Sequence, residues 1–474
     1  MKVYDKQYIG GKWRQGRSER IMENRDPYSG ELLYTYHSAD SSDVDEAYAC
    51  AAKAQKEWWA LSVQEREAAM ERIRSVMLDY APVMDECLLR EAGCTAAKRG
   101  YEVGTSPEFA KYFMSFPRRM EGLIQPSETK GQLNLVFRKP KGVITVIAPW
   151  NVPFILALRS VLPAIACGSA VVLKPSSDTP ASAFILAEIF EKAGLPEGLV
   201  NVVAGAGSEI GDCIVEHPLS DMVSFTGSTE VGMHIGEMCG RAVKDVSLEL
   251  GGNNTMIVLP DADLERAADR AVFGAYFHQG QICMGLNRAV VCSDRYDEFL
   301  EILAARVRAL KAGDPADPEN FIGPLINAGQ VEHFNTLLRQ TLDAGAVPVV
   351  GGAVNGRVIS PWLLGGVTND MPAARNEMFG PVLSVIRAGD EAEAVRIAND
   401  TQYGLSNSVF GSDVFHAMEV AARLESGMVH INDQSIGDEA HVMFGGEKQS
   451  GVGRFNGSWV LDKFTTQQWL AVNR

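Results

Sequence analysis

Between residues 142 and 226 the chain alternates between two kinds of apolar pattern. Short, mostly apolar runs at 143–148, 170–174, 199–203 and 222–226 have the length and composition of strands buried on both faces. Longer amphipathic stretches at 153–166, 180–193 and 209–216 separate them and predict helices. Strand and helix in alternation, with short connections, predict a parallel, doubly wound α/β sheet. Such a sheet takes its ligands beyond the carboxyl ends of its strands. A second alternating region runs from 252 to about 443, with strands expected at 382–386, 405–410 and 428–432. Upstream the period is helical. Ala47, Ala51, Ala54 and Trp58 share one face, and periodic runs continue to Met77 and from 83 to 97, with Pro82 and Gly93 as breakers. Residues 1–40 read as an irregular or strand-containing arm, and the period falls toward two at 133–137 and again in the tail at 467–472.

Length and charge narrow the possibilities. A chain of 474 residues is too long for one compact core, so two or three domains are expected. A net charge of −16 with no basic block argues against nucleic acid and anionic membrane surfaces as partners. The eight cysteines are scattered, without a C-x-x-C pair, which points to a reducing compartment and away from structural zinc. The histidines offer no metal-binding spacing, and no metal is expected. The N-terminus lacks the apolar core of a signal peptide, and no apolar run approaches the roughly 20 residues that cross a bilayer. A soluble, cytoplasmic protein is expected.

Two loops carry candidate chemistry. Cys283 lies in Phe277-His278-Gln279-Gly280-Gln281-Ile282-Cys283-Met284-Gly285, between an amphipathic run and an apolar one. A free cysteine taken alone is most often apolar filler. Glu249, in Leu248-Glu249-Leu250-Gly251-Gly252, changes the weighing. A thiol nucleophile and a carboxylate base on separate loops are the two parts needed to make and then hydrolyse a thioester.

With Pro149-Trp150-Asn151, Lys174-Pro175-Ser176, Phe225-Thr226-Gly227-Ser228-Thr229 and Glu377-Met378-Phe379-Gly380-Pro381, these motifs resemble the aldehyde dehydrogenase superfamily over nearly the whole chain. The resemblance implies two doubly wound α/β domains and a small β oligomerisation arm. The dinucleotide-binding domain would comprise 1–117 and 141–251, the catalytic domain 252–443, and the oligomerisation segments 118–140 and 444–474. A homodimer or homotetramer is implied.

The resemblance also assigns roles. Cys283 would be the nucleophile, Glu249 the base and Asn151 the oxyanion donor. Trp150, Lys174, Ser176, Ser177, Gly227, Ser228, Leu250, Glu377 and Phe379 would line an NAD or NADP site. Lys174 would bond the adenosine ribose and Glu377 the nicotinamide ribose. The family's usual glutamate three residues after the lysine is Ser177 here; a carboxylate would repel a 2′-phosphate and serine would not, so either cofactor is allowed. The family's lysine after Glu-Leu-Gly-Gly is replaced by Asn253-Asn254. The glycines of 205–211 invite a Rossmann reading, but the third is one place late and no Asp or Glu ends a following strand about 20 residues on. The strand-to-helix loop Gly227-Ser228-Thr229-Glu230-Val231-Gly232 is the better candidate.

Gly280 to Met284, the segment 174–180 and Ile431-Asn432-Asp433 with Asp438-Glu439 look like the bacterial benzaldehyde, vanillin and salicylaldehyde dehydrogenase branch. Ile282 and Met284 would then form an apolar slot for an aromatic ring, with simple packing as the equal alternative. Arg159 matches an arginine of that branch, and a salt-bridged helix arginine is the other reading. An aliphatic aldehyde or semialdehyde substrate stays open, as does an inert structural or binding protein with this fold.

Overall fold

The computed structural model describes residues 2–473. The buried strand Val143–Ile147 pairs in parallel with Ala170–Lys174 on one side and Met222–Thr226 on the other. From it the chain steps outward to Val200–Val202, then returns across to Met222–Thr226 and Asp245–Glu249. Two antiparallel additions close the edges: the N-terminal hairpin Gln7–Ile9 and Lys12–Arg14 on one side, and Gly451–Val452 on the other. The reversal in strand order opens a crevice between Val143–Ile147 and Met222–Thr226, where doubly wound sheets bind ligands.

A second sheet follows after only four residues. It runs in the order Val347–Val350, Trp362–Gly365, Val382–Ala388, Leu286–Cys292, Asn254–Val258, Ser406–Phe410, Met428–Ile431, and all but the first strand are parallel. Glu249 ends a strand of the first sheet and Cys283 precedes a strand of the second. The carboxyl edge of one sheet therefore meets the amino edge of the other. Each sheet is walled by helices, as continuous apolar strands require.

The third unit is antiparallel and small. Thr465–Asn473 pairs along its whole length with Gln132–Pro140, and Leu123–Gln125 adds a short outer strand. Leu123, Ile124, Phe137, Trp469 and Leu470 are exposed on it.

The helical face of Ala47, Ala51, Ala54 and Trp58 is buried in Ser41–Ala60. The run expected through 83–97 is broken. Its first helix, Ala81–Ala92, stops at Gly93, whose φ of +62° is left-handed, and a new helix, Ala96–Phe113, begins beyond it. No helix among the described residues is long and apolar enough to cross a membrane.

Candidate active site

A cavity of about 500 Å³ lies over the crevice. It brings together Trp150, Asn151, Gly227, Ser228, Glu249, Leu250, Cys283, Glu377 and Phe379. Lys174, Ser176 and Ser177 are not in its wall.

The helix Leu264–Tyr276 ends in a tight turn, Phe277–Gly280, in which His278, Gln279 and Gly280 have φ of 52°, 58° and 75°. Two successive non-glycine residues in this region cost of order 1–3 kcal/mol each and persist only when their surroundings fix them. Gln279 is held by donating to the Pro324 carbonyl at 3.0 Å, and Gln281 by accepting from the Ile326 amide at 3.0 Å. Beyond them the Cys283 carbonyl accepts from the Asn254 side chain at 2.8 Å. A Cβ on Gly252 would stand 2.4 Å from that carbonyl, so the second glycine of the Gly251-Gly252 pair is what lets the two loops touch. Cys283 remains partly exposed to the cavity.

Glu249 is buried, and its Oε1 has no hydrogen-bond partner. Burial pushes its carboxyl up to about 7, while the Arg159 charge and the neighbouring Cys283 thiol pull the other way. Burial also raises the Cys283 thiol well above its ordinary value, and the Glu249 charge adds to the rise. The resting proton thus sits on sulfur, beside a carboxyl that titrates near neutrality. A base suited to work near pH 7 has that property.

Asn151 follows the Val143–Ile147 strand and is buried. Its Nδ2 donates to the Gln281 carbonyl at 2.8 Å, and the amide has a second N–H. The donor is therefore two residues from the thiol in the loop it contacts.

The cofactor side opens on the helix Thr229–Arg241, capped by Ser228 accepting from the Val231 amide at 3.4 Å. Unpaired amides and the dipole at such a helix start favour a pyrophosphate. The Trp150 and Phe379 rings meet edge to face at 5.4 Å. Glu377 accepts from the Gly252 amide at 3.1 Å, and burial pushes its carboxyl up to about 8. Lys174 sits one strand over at the same sheet edge. Burial pushes its ammonium down to about 8, and its partner is the Pro175 carbonyl at 3.4 Å. Ser176 accepts from the Asp178 amide at 3.2 Å, and the Ser177 hydroxyl donates to the Gly205 carbonyl at 3.2 Å. The 205–211 turn opens the helix Gly207–Glu216 and stays outside the cavity wall. A buried, unpartnered Thr229 hydroxyl in the wall and a weakly held Lys174 ammonium nearby fit a polar, anionic dinucleotide.

On the far side of Cys283 lies a nearly closed space of about 20 Å³. Ile282 and Met284 line it with Phe277, Ile436 and Phe444, and they also pack in one buried cluster. Ile282 and Met284 are packed, as one of the two readings had it; the space they border is of about the size of one water. Arg159 is both salt-bridged and part of this wall. It pairs with Asp438 in the interior, lies 3.8 Å over the Phe444 ring, and leaves Nε and Nη1 unpartnered.

The roles of several residues of the site escaped the sequence reading. Asn254, noted only as a departure, ties the Cys283 carbonyl to the second sheet. Asp438 is matched to Arg159 from 279 residues away, a pairing no local pattern announces. Lys98 and Glu102 form a fully buried pair beside the same space. Their signal was present: residues 98, 102, 106, 109 and 113 share the buried face of one helix. Among the described residues, no group of three or more His, Cys, Asp or Glu side chains could hold a metal ion.

Known proteins share this arrangement. Residues 13–470 match the model of the aldehyde dehydrogenase family. A benzaldehyde dehydrogenase of Bacillus subtilis is 46% identical over 469 residues, covering 99% of this chain and 97% of its own. A vanillin dehydrogenase of Corynebacterium glutamicum is 45% identical, covering 99% and 98%. The crystal structure of a salicylaldehyde dehydrogenase from Pseudomonas putida G7, complexed with salicylaldehyde, superposes with a TM-score of 0.97 at 34% identity, over 99% and 98% of the two chains. The chain belongs to the aldehyde dehydrogenase family.

Proposed function

We propose that the protein oxidises an aromatic aldehyde to its carboxylic acid, with NAD or NADP as hydride acceptor. One observation carries the reading: Cys283, Glu249 and Asn151 share the wall of the cavity over the sheet crevice, where doubly wound sheets bind their ligands. The relatives named for benzaldehyde and vanillin, and the solved neighbour titled an NAD-dependent benzaldehyde dehydrogenase, support the substrate and cofactor classes.

The Cys283 thiol loses its proton to solvent, and the sulfur adds to the aldehyde carbon. The alkoxide that forms is held by the Asn151 amide and the Cys283 backbone N–H. A nicotinamide bound in the cavity supplies the acceptor for the hydride that leaves that carbon, and a thioester remains on Cys283. Glu249 then removes a proton from water, which adds to the thioester carbon. The acid departs and the thiol is restored. Glu377, Lys174, Ser176 and Ser177 would hold the riboses, and Trp150, Gly227, Ser228, Leu250 and Phe379 the rest of the dinucleotide.

The same reading assigns dinucleotide binding to 1–117 with 141–251 and catalysis to 252–443. Segments 118–140 and 444–474 would join subunits of a homodimer or homotetramer. Leu123 and Trp469 exposed on one face of the small sheet, and Ile124, Phe137 and Leu470 on the other, support that use of it, since exposed apolar surface marks interaction sites. Free cysteines throughout support a cytoplasmic setting.

The test is reduced-cofactor formation on a panel of benzaldehyde, vanillin, salicylaldehyde, propanal and succinic semialdehyde, with NAD and NADP in turn. The highest kcat/KM should fall on an aromatic member, and Cys283→Ala should abolish oxidation while still binding cofactor. A preference for propanal or succinic semialdehyde would reject the substrate class, and turnover by Cys283→Ala would reject the mechanism.

A further inference from the structure

The turn that carries Asn151 is gripped from inside the helical layer. The helix Pro153–Ala166 begins after Val152, which offers no side-chain cap, so its first amides need acceptors from elsewhere. Glu102 supplies one from the neighbouring helix Ala96–Phe113. Its Oε1 accepts from the Phe154 amide at 2.7 Å and the Ile155 amide at 3.3 Å. Its Oε2 pairs with the Lys98 ammonium one turn earlier, and both side chains are fully buried.

A buried ion pair is a weak source of stability, and apolar residues of similar volume often serve as well. This pair does something apolar residues cannot. A charged acceptor at a helix start makes stronger hydrogen bonds than a neutral one and complements the helix dipole. Lys98 balances the charge and also lines the space against Cys283. The gripped amides are three and four residues beyond Asn151, whose own side chain reaches the Gln281 carbonyl. The oxyanion turn is thus pinned at both ends.

We propose that Glu102 is a positioning residue for the oxyanion site, clamping the start of the Pro153–Ala166 helix so that the Asn151 amide faces the reacting carbonyl. The proposal rests on the reading of Asn151 as oxyanion donor. A displacement of about 1 Å at such a donor can cost on the order of 100-fold in rate.

The test compares two variants from which both buried charges are gone. Lys98→Met with Glu102→Gln keeps an acceptor oxygen; Lys98→Met with Glu102→Leu removes it. The readouts are the burst rate of NADH formation with benzaldehyde, normalised to titrated active sites, and the dissociation constant for NAD. The Leu pair should react up to roughly 100-fold more slowly than the Gln pair, with equal NAD affinity. In an Asn151→Ala background that difference should vanish. Should the Leu pair fail to fold, Glu102→Asp, which keeps the charge and shortens the reach, should show the slow, Asn151-dependent burst. Equal rates for the two pairs, or a wild-type burst for Glu102→Asp where that variant is used, would overturn the clamp. So would a difference that persists in full without Asn151. If Asn151→Ala alone reacts at the wild-type rate, the oxyanion reading fails and takes the clamp with it. If Asn151→Ala is slow and the two pairs match, the clamp alone fails.

Discussion

Asn151 donates its side-chain amide to the Gln281 carbonyl at 2.8 Å, joining the turn after the first sheet's central strand to the loop that carries Cys283. One contact, across 130 residues of sequence, sets the candidate oxyanion donor beside the nucleophile. Removing the amide should lower turnover by about 100- to 1,000-fold, the usual loss for a donor aimed at developing charge. Cofactor affinity should change little, since a donor in that role meets charge that forms only during reaction. Steady-state kinetics and NAD titration of Asn151→Ala check this. A large loss of NAD affinity with unchanged kcat would place Asn151 among the cofactor contacts instead.

Arg159 and Asp438 act on Glu249 with opposite signs. The Arg159 charge favours the Glu249 carboxylate and the Asp438 charge disfavours it. Glu249 works as a base when ionised, so turnover limited by thioester hydrolysis should rise with pH through about 7. Arg159→Met should move that rising limb to higher pH, and Asp438→Asn to lower pH. Asp438→Ala should also destabilise the fold by about 3–5 kcal/mol, because the Arg159 charge is left buried and unpaired. Denaturant unfolding and pH profiles of kcat measure both effects. Limbs that move in the same direction would contradict the assignment of Glu249.

The first sheet was legible because its strands are buried on both faces and therefore read as mostly apolar runs; Val143–Ile147, Ala170–Lys174 and Met222–Thr226 all fall where the pattern set them. Asp245–Glu249 is hard to read as a strand, since Asp245 is exposed and its apolar part is brief. Gly451–Val452 could not be read at all: two residues long, it is a strand only because Leu248 and Glu249 pair with it. Within the site, Cys283, Glu249 and Asn151 were visible because each stands in a local motif. The pairings of Asp438 and Glu102 were not. Their partners, the Arg159 guanidinium and the amides of Phe154 and Ile155, are reached only by folding, and charges in a helix ordinarily face solvent.

Ser177 lies at the sheet edge with its hydroxyl on the Gly205 carbonyl, close in sequence to the Lys174 ammonium. If this position reads the adenosine ribose, wild-type protein should use both NAD and NADP. Ser177→Glu should then depress kcat/KM for NADP selectively, because a carboxylate repels the 2′-phosphate. Kinetics with each cofactor decide the point, and equal losses would remove Ser177 from ribose recognition.

The central claim is that Glu249 activates the water that hydrolyses a thioester on Cys283. Glu249→Gln cannot accept that proton. Rapid mixing of Glu249→Gln with NAD and benzaldehyde, followed by intact-protein mass spectrometry, tests it directly. The expected result is a burst of NADH approaching about one equivalent per active site, slow turnover after it, and an acyl adduct on Cys283. Normal cofactor binding with neither burst nor adduct would assign Glu249 to thiol activation alone, and wild-type turnover would contradict its role as base altogether.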